Sequence, residues 1–581
     1  MSQTTRAQPG DSKTLAQPGA SGGFAHDRPL RDALDRALDA IRDRSHFSAF
    51  PESPSPRVYG EEAAPAGLAA FEAWQGTDFP LRTAPGASGT VATERSPFGI
   101  GLDVRYPRVA TTGLDDLLTA AQAGIPQWRD AGPDTRVDVA LEILAALHKR
   151  VFELANAVMA TTGQAFVMAF QAGGTHALDR ALEAVAYAYA EMTRHPATAL
   201  WERPGRGEPL RIEKTFTVVP RGVAVVIGCT TFPTWNSYPG LFASLVTGNP
   251  VVVKPHPGAV LPLAITVQVC QEVLAARGFD PALVTLAAEA DGDGIARDLA
   301  THPAVRIVDF TGSAEFGEWL ESHATQAQVY TEKSGVNPVV IDSTHAFRGL
   351  VGNLAFTLAL YSGQMCTTSQ VIFVPADGID TDEGHKSFRE VGAGLAAAVD
   401  KLLSDEGRAV ELLGAIVNDA VLNRVEGSTA LGGEVVLESR AVRHPVHTDA
   451  VVRTPAILAL DADEVAVFGR ECFGPVTFLV RTRDTDEALA LVRRLGHERG
   501  AMTAAVYSTS ERVLAAAREV ALDVGVALSE NLTDGVYVNQ SAAFSDFHGT
   551  GANPAANASF VDAAYVAGRF RIIQSRRHAP E

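Results

Sequence analysis

One of the four cysteines in this 581-residue chain, Cys366, lies in Tyr361-Ser362-Gly363-Gln364-Met365-Cys366-Thr367-Thr368, after Gly-Gln and before two hydroxyl residues. That setting suits a nucleophile. A thiolate is the strongest nucleophile among the common side chains, and a thiol with an ordinary pKa near ~8.5 needs only modest help at neutral pH. The plainer reading is a buried structural cysteine, which packs as a small hydrophobe. The other three, Cys229, Cys270 and Cys472, are scattered, with no Cys-x-x-Cys and no His-rich partner spacing. Neither a metal site nor a disulfide framework is therefore expected, and a reducing cytoplasm fits.

A nucleophile needs a scaffold, and the texture of the chain supplies one. From 217 onward, short β-branched runs alternate with Ala/Leu-rich segments. Val223–Ile227, Pro250–Val253, Leu283–Leu286 and Ile307–Phe310 predict strands, and 239–247 and 260–276 predict helices. A second alternating block, from about 335 to 540, predicts strands at Pro338–Ile341, Val371–Val374, Val476–Val480 and Ala504–Tyr507. Such alternation implies an α/β fold of two parallel-sheet lobes, with ligands beyond the carboxyl ends of the strands. Upstream, 114–198 reads as helix-rich, with Ala140, Ile143, Leu144 and Leu147 at helical spacing, and 27–44 predicts one helix before the Pro-rich break at 51–56. Arg211–Val218 and Arg569–Ile573 alternate as strands suited either to pairing with another subunit or to a surface hairpin.

A composition of 46% hydrophobic and 20% charged residues is that of a globular protein long enough for more than one core. A net charge of −19 without long Lys/Arg runs argues against a nucleic-acid partner. No apolar run reaches the ~18–20 residues that cross a bilayer, and 1–26 carries no apolar signal core, so neither a membrane nor export is expected.

Five motifs follow in order: Val252-Val253-Lys254-Pro255, Phe310-Thr311-Gly312-Ser313 through Gly317, Thr331-Glu332-Lys333-Ser334-Gly335-Val336-Asn337-Pro338, Gly363-Gln364-Met365-Cys366, and Glu471-Cys472-Phe473-Gly474-Pro475. In order and rough spacing they resemble the aldehyde dehydrogenase superfamily. The resemblance implies that Cys366 attacks an aldehyde carbon, that the thiohemiacetal oxyanion is stabilised while hydride leaves for a nicotinamide, and that a thioester is then cleaved. Glu332 resembles the carboxylate that activates water for the cleavage, a task suited to a carboxyl raised toward neutrality by burial. The competing reading is a salt bridge to Lys333 or another cation. A base at this position favours hydrolysis to a free acid over transfer to coenzyme A. Lys254 and the Gly312-Ser313 turn resemble cofactor contacts, a cation near the ribose and a helix N-terminus beside the diphosphate. Glu471 and Phe473 resemble the pair that positions the nicotinamide ribose and ring. Pro257 stands where NAD-preferring relatives carry Glu, so no carboxylate is expected to repel a 2′-phosphate; NADP is the expected cofactor and NAD the alternative.

The oxyanion donor departs from the family pattern of Asn before Phe-Pro, since this chain reads Thr230-Thr231-Phe232-Pro233-Thr234-Trp235-Asn236. An ungapped match puts Thr231 at the donor position and is preferred; a gapped one selects Asn236, which otherwise reads as a helix N-cap. With a Thr hydroxyl as donor, the backbone N–H of Cys366 carries more of the load.

Within the superfamily, Tyr59-Gly60-Glu61, Phe232-Pro233-Thr234-Trp235 and Phe544-Ser545-Asp546-Phe547-His548-Gly549 are similar to the phenylacetic acid degradation branch, PaaN. That similarity implies NADP-linked oxidation of a coenzyme A-tethered semialdehyde produced by ring opening of an oxepin-CoA, with a separate hydratase opening the ring. Arg569, Arg571, Arg576 and Arg577 offer positive charge for such a substrate, or are simply solvated. The alternatives are a broad-range aldehyde dehydrogenase and a catalytically silent dinucleotide-binding protein. The expected organisation is a disordered tail over 1–26, an extension over 27–110, a helical region and dinucleotide-binding domain over 111–334 with arm strands at about 205–220, a catalytic domain over 335–545, and a C-terminal arm over 546–581, assembled as a homodimer or homotetramer.

Overall fold

The computed structural model describes residues 28–290 and 292–579; the expected tail, 1–26, lies outside them. Helix α1 (Arg28–Asp43) buries Leu34, Ala37 and Ala40 and packs on α2 (His176–Met192), a 17-residue helix of the helix-rich region. The extension holds more than the one expected helix: short helices span Pro56–Tyr59 and Ala63–Glu72, and Ala87–Val91 pairs with Tyr106–Val109. It is docked by the buried carboxylate of Glu94, which accepts from the N–H groups of Val260 (2.5 Å) and Leu261 (2.8 Å) and from the Tyr106 hydroxyl (2.5 Å). A carboxylate on a helix N-terminus satisfies donors that the helix itself leaves open.

Strands β1 (Thr198–Arg203) and β2 (Leu210–Pro220) leave the body as an arm, completed far along the chain. Next come β3 (Val223–Ile227), α3 (Pro233–Val246), β4 (Val251–Lys254), α4 (Leu261–Ala276), β5 (Val284–Leu286), β6 (Val305–Thr311), α5 (Ala314–His323) and β7 (Gln328–Glu332). Every residue of β3 is buried, as a continuous β-branched run requires when helices cover both faces of a parallel sheet. The sheet order is β5-β4-β3-β6-β7, all parallel. The chain winds outward from β3 through β4 and β5, then returns to place β6 on the other side. The loops after β3 and β6 therefore diverge and leave a crevice at the carboxyl ends of the strands.

From Glu332, the last residue of β7, four residues lead into the second lobe: β8 (Asn337–Ile341), α6 (Phe347–Ala359), β9 (Ser369–Pro375), β10 (Glu434–Leu437), β11 (Ala456–Asp461), β12 (Val476–Thr482), β13 (Thr503–Tyr507) and β14 (Ala527–Glu530). Its sheet runs β10-β11-β12-β9-β8-β13-β14, antiparallel only at β10–β11. Gly335 in the linker has no room for a side chain, because a Cβ there would lie 2.2 Å from the Gly500 carbonyl oxygen. Finally β15 (Phe570–His578) pairs antiparallel with β2, giving the three-stranded arm β15-β2-β1.

The eight expected strands of the two lobes all form, within two residues at either end. Helix α3 starts at Pro233, six residues before the expected 239. Pro233 sits in the first helical turn, where its missing N–H costs nothing, and the helix then runs on through Pro239. No helix among the described residues is long and apolar enough to cross a membrane.

Candidate active site

Helix α6 ends in a turn in which Tyr361, Ser362 and Gly363 have φ of 52°, 49° and 65°. Two non-glycine residues in the left-handed region cost about 1–2 kcal/mol each, so the surroundings must hold them. The Tyr361 hydroxyl donates to the Thr162 carbonyl, and Ser362 Oγ lies 3.1 Å from the carbonyls of Leu413 and Arg453. A Cβ on Gly363 would meet the Gly474 carbonyl oxygen at 2.5 Å. The turn delivers Cys366 to the foot of β9. There Asn337, the first residue of β8, donates through Nδ2 to the carbonyls of Cys366 (2.8 Å) and Thr368 (2.9 Å), while its Oδ1 accepts from the N–H of Met502 (2.9 Å) and Thr503 (3.2 Å). One buried amide thus ties the cysteine to the neighbouring strands.

Across the junction of the lobes, Cys366 Sγ lies 3.4 Å from Glu332 Oε1. The same oxygen accepts from Asn236 Nδ2 (3.0 Å) and faces His548 Nε2 at 2.9 Å. An ionised carboxylate only accepts, so Nε2 carries the proton in this contact. His548 is 216 residues away in sequence and arrives because the segment after it is laced onto β7. The Lys333 N–H donates to the Ala555 carbonyl (2.7 Å), the Asn557 N–H to the Thr331 carbonyl (3.1 Å), and the Thr331 N–H to Asn557 Oδ1 (2.8 Å). The imidazole also lies 3.8 Å from Cys366 Sγ and packs edge-on to Trp235, and the buried guanidinium of Arg180 lies 3.8 Å from the centroid of that same indole.

Burial pushes the Glu332 carboxyl up, but the charge and hydrogen bond of His548, with Arg180 and Cys366, pull harder and leave it below the usual carboxylate range. The expectation of a pKa raised by burial is therefore corrected: three donors converge on one oxygen. Salt bridging to Lys333 is not what holds it, since Lys333 Nζ bonds Glu321 Oε1 at 2.9 Å. Burial first, and then the Glu332 charge and hydrogen bond, push the Cys366 thiol well above its ordinary range. At rest the thiol keeps its proton and points it at a charged carboxylate.

On the crevice side, Lys254 ends β4 and is buried in an ion pair with Glu289, whose other oxygen accepts from the Ile295 N–H at 2.9 Å. Ser313 caps α5, its Oγ accepting from the Phe316 N–H (3.3 Å), and the Gly312 N–H donates to the Glu332 carbonyl (3.1 Å). Glu471 and Phe473 line one cleft with Cys366, Gly363 and Gly474. Burial, opposed by Arg424, raises the Glu471 carboxyl to about 7.

Residues 94–545 match the aldehyde dehydrogenase family. The chain belongs to that family. A solved NAD-dependent aldehyde dehydrogenase from Burkholderia multivorans is 54% identical and superposes with a TM-score of 0.93 over 96% of this chain and all of that one. The 1-pyrroline-5-carboxylate dehydrogenase of Bacillus mycoides is 23% identical over 472 residues, 78% of this chain and 85% of its own. The Thermus thermophilus enzyme of the same name, at 20% identity and a TM-score of 0.72 over 92% of this chain and 99% of its own, shares the fold.

This aldehyde dehydrogenase is thus an oxidoreductase that uses a nicotinamide dinucleotide. The chain can accommodate one: Ser313 caps the N-terminus of a ten-residue helix at the switch point, where the helix's first N–H groups suit a diphosphate, and Gly312 before it has no room for a side chain, since a Cβ would meet the Phe310 ring at 2.6 Å. Lys254 is in place at the end of β4. Its partner there is Glu289, from the loop after β5. The Thr231 hydroxyl lies 4.0 Å from Cys229 Sγ, and the Thr231 carbonyl accepts from Gln164 Nε2 at 2.7 Å. Asn236 bonds Glu332 directly; it lies inside α3, not at its cap. Arg569 is removed from any substrate role: it is fully buried and bidentate to Asp309 at 2.6 and 2.8 Å. Arg577 pairs with Glu213 on the arm at 2.6 Å.

Sequence reasoning missed His548, Asn337 and Glu289 as site residues. His548 and Asn337 stood inside motifs already noted, but their contacts are long-range and no local pattern marks them.

Proposed function

We propose that this aldehyde dehydrogenase converts its aldehyde to the carboxylic acid through a thioester on Cys366, hydrolysed by water that Glu332 activates. The observation that carries the reading is the 3.4 Å contact between Sγ and Oε1 at the junction of the lobes. The Sγ proton passes to Oε1, and the thiolate attacks the carbonyl carbon, forming a C–S bond and an oxyanion. Asn236 Nδ2 and the Cys366 backbone N–H are the proposed donors to that oxyanion, Thr231 being the weaker candidate. A nicotinamide dinucleotide held at Lys254, Gly312 and Ser313 would supply the acceptor for the hydride that leaves the thiohemiacetal carbon. As Asn236 turns from Glu332 to the oxyanion, the carboxylate loses one of its donors and becomes more basic. After its proton has left to solvent, Glu332 takes one from water, hydroxide adds to the thioester, the C–S bond breaks, and the thiolate is regenerated. His548 and Asn236 keep Oε1 aimed at the thiol.

For the substrate we propose a coenzyme A-tethered semialdehyde from ring opening in phenylacetate breakdown, with a separate hydratase supplying it. The PaaN-like motifs support this reading. The burial of Arg569 removes one basic group from the proposed CoA contact and keeps a broad-range aldehyde dehydrogenase as the second reading. For the cofactor we keep NADP as the leading reading, because Pro257 sets no carboxylate beside the expected 2′-phosphate, and NAD as the alternative. A homodimer or homotetramer is proposed through the arm, which exposes Leu200, Trp201, Ile572 and Ile573, and a cytoplasmic site fits the free thiols. Steady-state kinetics with free and CoA-linked aldehydes, each with NAD and NADP, test these points. A kcat/KM highest for the CoA-linked semialdehyde supports the leading reading, equal values for simple aldehydes select the broad-range one, and no turnover with any aldehyde sinks both.

A further inference from the structure

We infer that Cys366 Sγ, Glu332 Oε1 and His548 Nε2 form a three-ligand site for a thiophilic divalent transition ion, with zinc the ion it fits best, and that the bound ion excludes the aldehyde. The exclusion rests on the proposed role of Cys366; the binding site stands on geometry alone.

Three donor types from three separate elements, the turn after α6, the end of β7 and the C-terminal segment, converge within 4.8 Å of one another. Thiolate, imidazole and carboxylate form a zinc set, as opposed to the all-oxygen sets of calcium and magnesium. With metal–ligand distances of ~2.3 Å to sulfur and ~2.0–2.2 Å to nitrogen and oxygen, tetrahedral angles give edges of about 3.6 Å for S···N, 3.6 Å for S···O and 3.4 Å for N···O. The observed separations are 3.8, 3.4 and 2.9 Å. Two edges already match to about 0.2 Å. The third is a hydrogen bond, and it opens by about 0.5 Å when the ion replaces the shared proton.

The outer shell is also present. Asn236 donates to the ligating oxygen at 3.0 Å, as outer-shell partners do in metal sites, and Trp235 packs edge-on against the imidazole. Glu332 and His548 are buried, while Cys366 is half-buried and opens onto the cleft lined by Glu471 and Phe473, which gives an entry path and leaves the fourth position to water. Binding forms the metal–sulfur bond and releases the Sγ proton, along with the Nε2 proton to solvent or to Nδ1, so affinity rises with pH.

The test is titration of the purified, cofactor-free enzyme with Co²⁺ in thiol-free buffer, followed by displacement with Zn²⁺. One ion per chain should bind, with sulfur-to-cobalt charge transfer and the visible bands of a four-coordinate ion. Zn²⁺ should inhibit competitively with aldehyde and be reversed by a chelator. His548→Phe should weaken cobalt binding by more than the ~10–100-fold that loss of an outer-shell partner costs. Cys366→Ala should abolish the charge-transfer band, and retained dinucleotide binding shows that each variant is folded. Absence of the band in wild type overturns the site, as does a band whose affinity His548→Phe leaves unchanged. An active enzyme without the band refutes the metal site alone; a band in a protein that oxidises no aldehyde refutes the proposed reaction alone.

Discussion

Replacing Asn337 with Ala removes the amide that ties Cys366 to β8 and β13. Four hydrogen bonds go: two donated to the carbonyls of Cys366 and Thr368, and two accepted from Met502 and Thr503. Each group left unpaired in the interior costs about 1–3 kcal/mol. With water entering the space, the expected loss of stability is about 2–4 kcal/mol rather than the full sum. The catalytic cost comes from position. Freed from Asn337, the Cys366 carbonyl loses its side-chain anchor and the segment relies on the left-handed turn before it and on the Thr367 hydroxyl bonded to the Asn539 carbonyl (2.8 Å) after it; a displacement of ~1 Å at a reacting atom costs on the order of 10²-fold in rate. Single-turnover formation of reduced nicotinamide should therefore slow by about 100-fold, while dinucleotide affinity, read by fluorescence, changes little because none of the four lost bonds involves Lys254, Gly312 or Ser313. Asn337→Asp keeps the acceptor but turns a charge toward two carbonyls, and should be at least as slow. A single-turnover rate in Asn337→Ala within about threefold of wild type, with stability lowered as expected, would refute the positioning argument.

Arg569→Met leaves the Asp309 carboxylate buried with the Tyr565 hydroxyl at 2.7 Å as its remaining side-chain partner. Thermal or denaturant unfolding should show a loss of about 3–5 kcal/mol, largely recovered when Asp309→Leu is added. Asn236→Ala should lower kcat by ~10²–10³-fold if its amide serves the oxyanion, and Thr231→Ala should leave kcat nearly unchanged; the reverse order would restore Thr231 as the donor. Because burial and the Glu332 charge hold the Cys366 thiol high, its alkylation by iodoacetamide should be slow at neutral pH and climb well into the alkaline range. Glu332→Gln removes the negative charge while leaving an amide oxygen at the position, so the thiol pKa falls and the alkylation profile shifts to lower pH; a shift upward would contradict the assigned charges.

The parallel strands were legible because runs such as Val223–Ile227 are buried on both faces, and burial of that kind writes itself into composition. The edges were less so. Strand β7 escaped prediction because Gln328–Glu332 mixes exposed and buried residues and ends on the functional carboxylate. The start of α3 was misplaced because Pro239 reads as a helix start, whereas Pro233 performs that role and tertiary packing carries the helix through the second proline. At the site, motif order located Cys366 and Glu332, but not the balance of forces on them. Burial alone argues for a raised carboxyl, and only the arrival of His548, Asn236 and Arg180 from distant segments reverses the sign. Glu289 likewise reaches Lys254 through the sheet and not through the local sequence, so their pairing was not legible from the residues around Lys254.

The division of labour between Cys366 and Glu332 is tested most directly by mixing Glu332→Gln with NAD and an aldehyde, quenching with acid and measuring the intact mass. Without the base, and with the thiol more easily ionised, oxidation should still proceed once. An acyl adduct on Cys366 should accumulate toward one per active chain, matched by a single burst of reduced nicotinamide and little steady turnover. Steady turnover at the wild-type rate, or a burst with no adduct on Cys366, would show that the hydrolytic base or the nucleophile lies elsewhere.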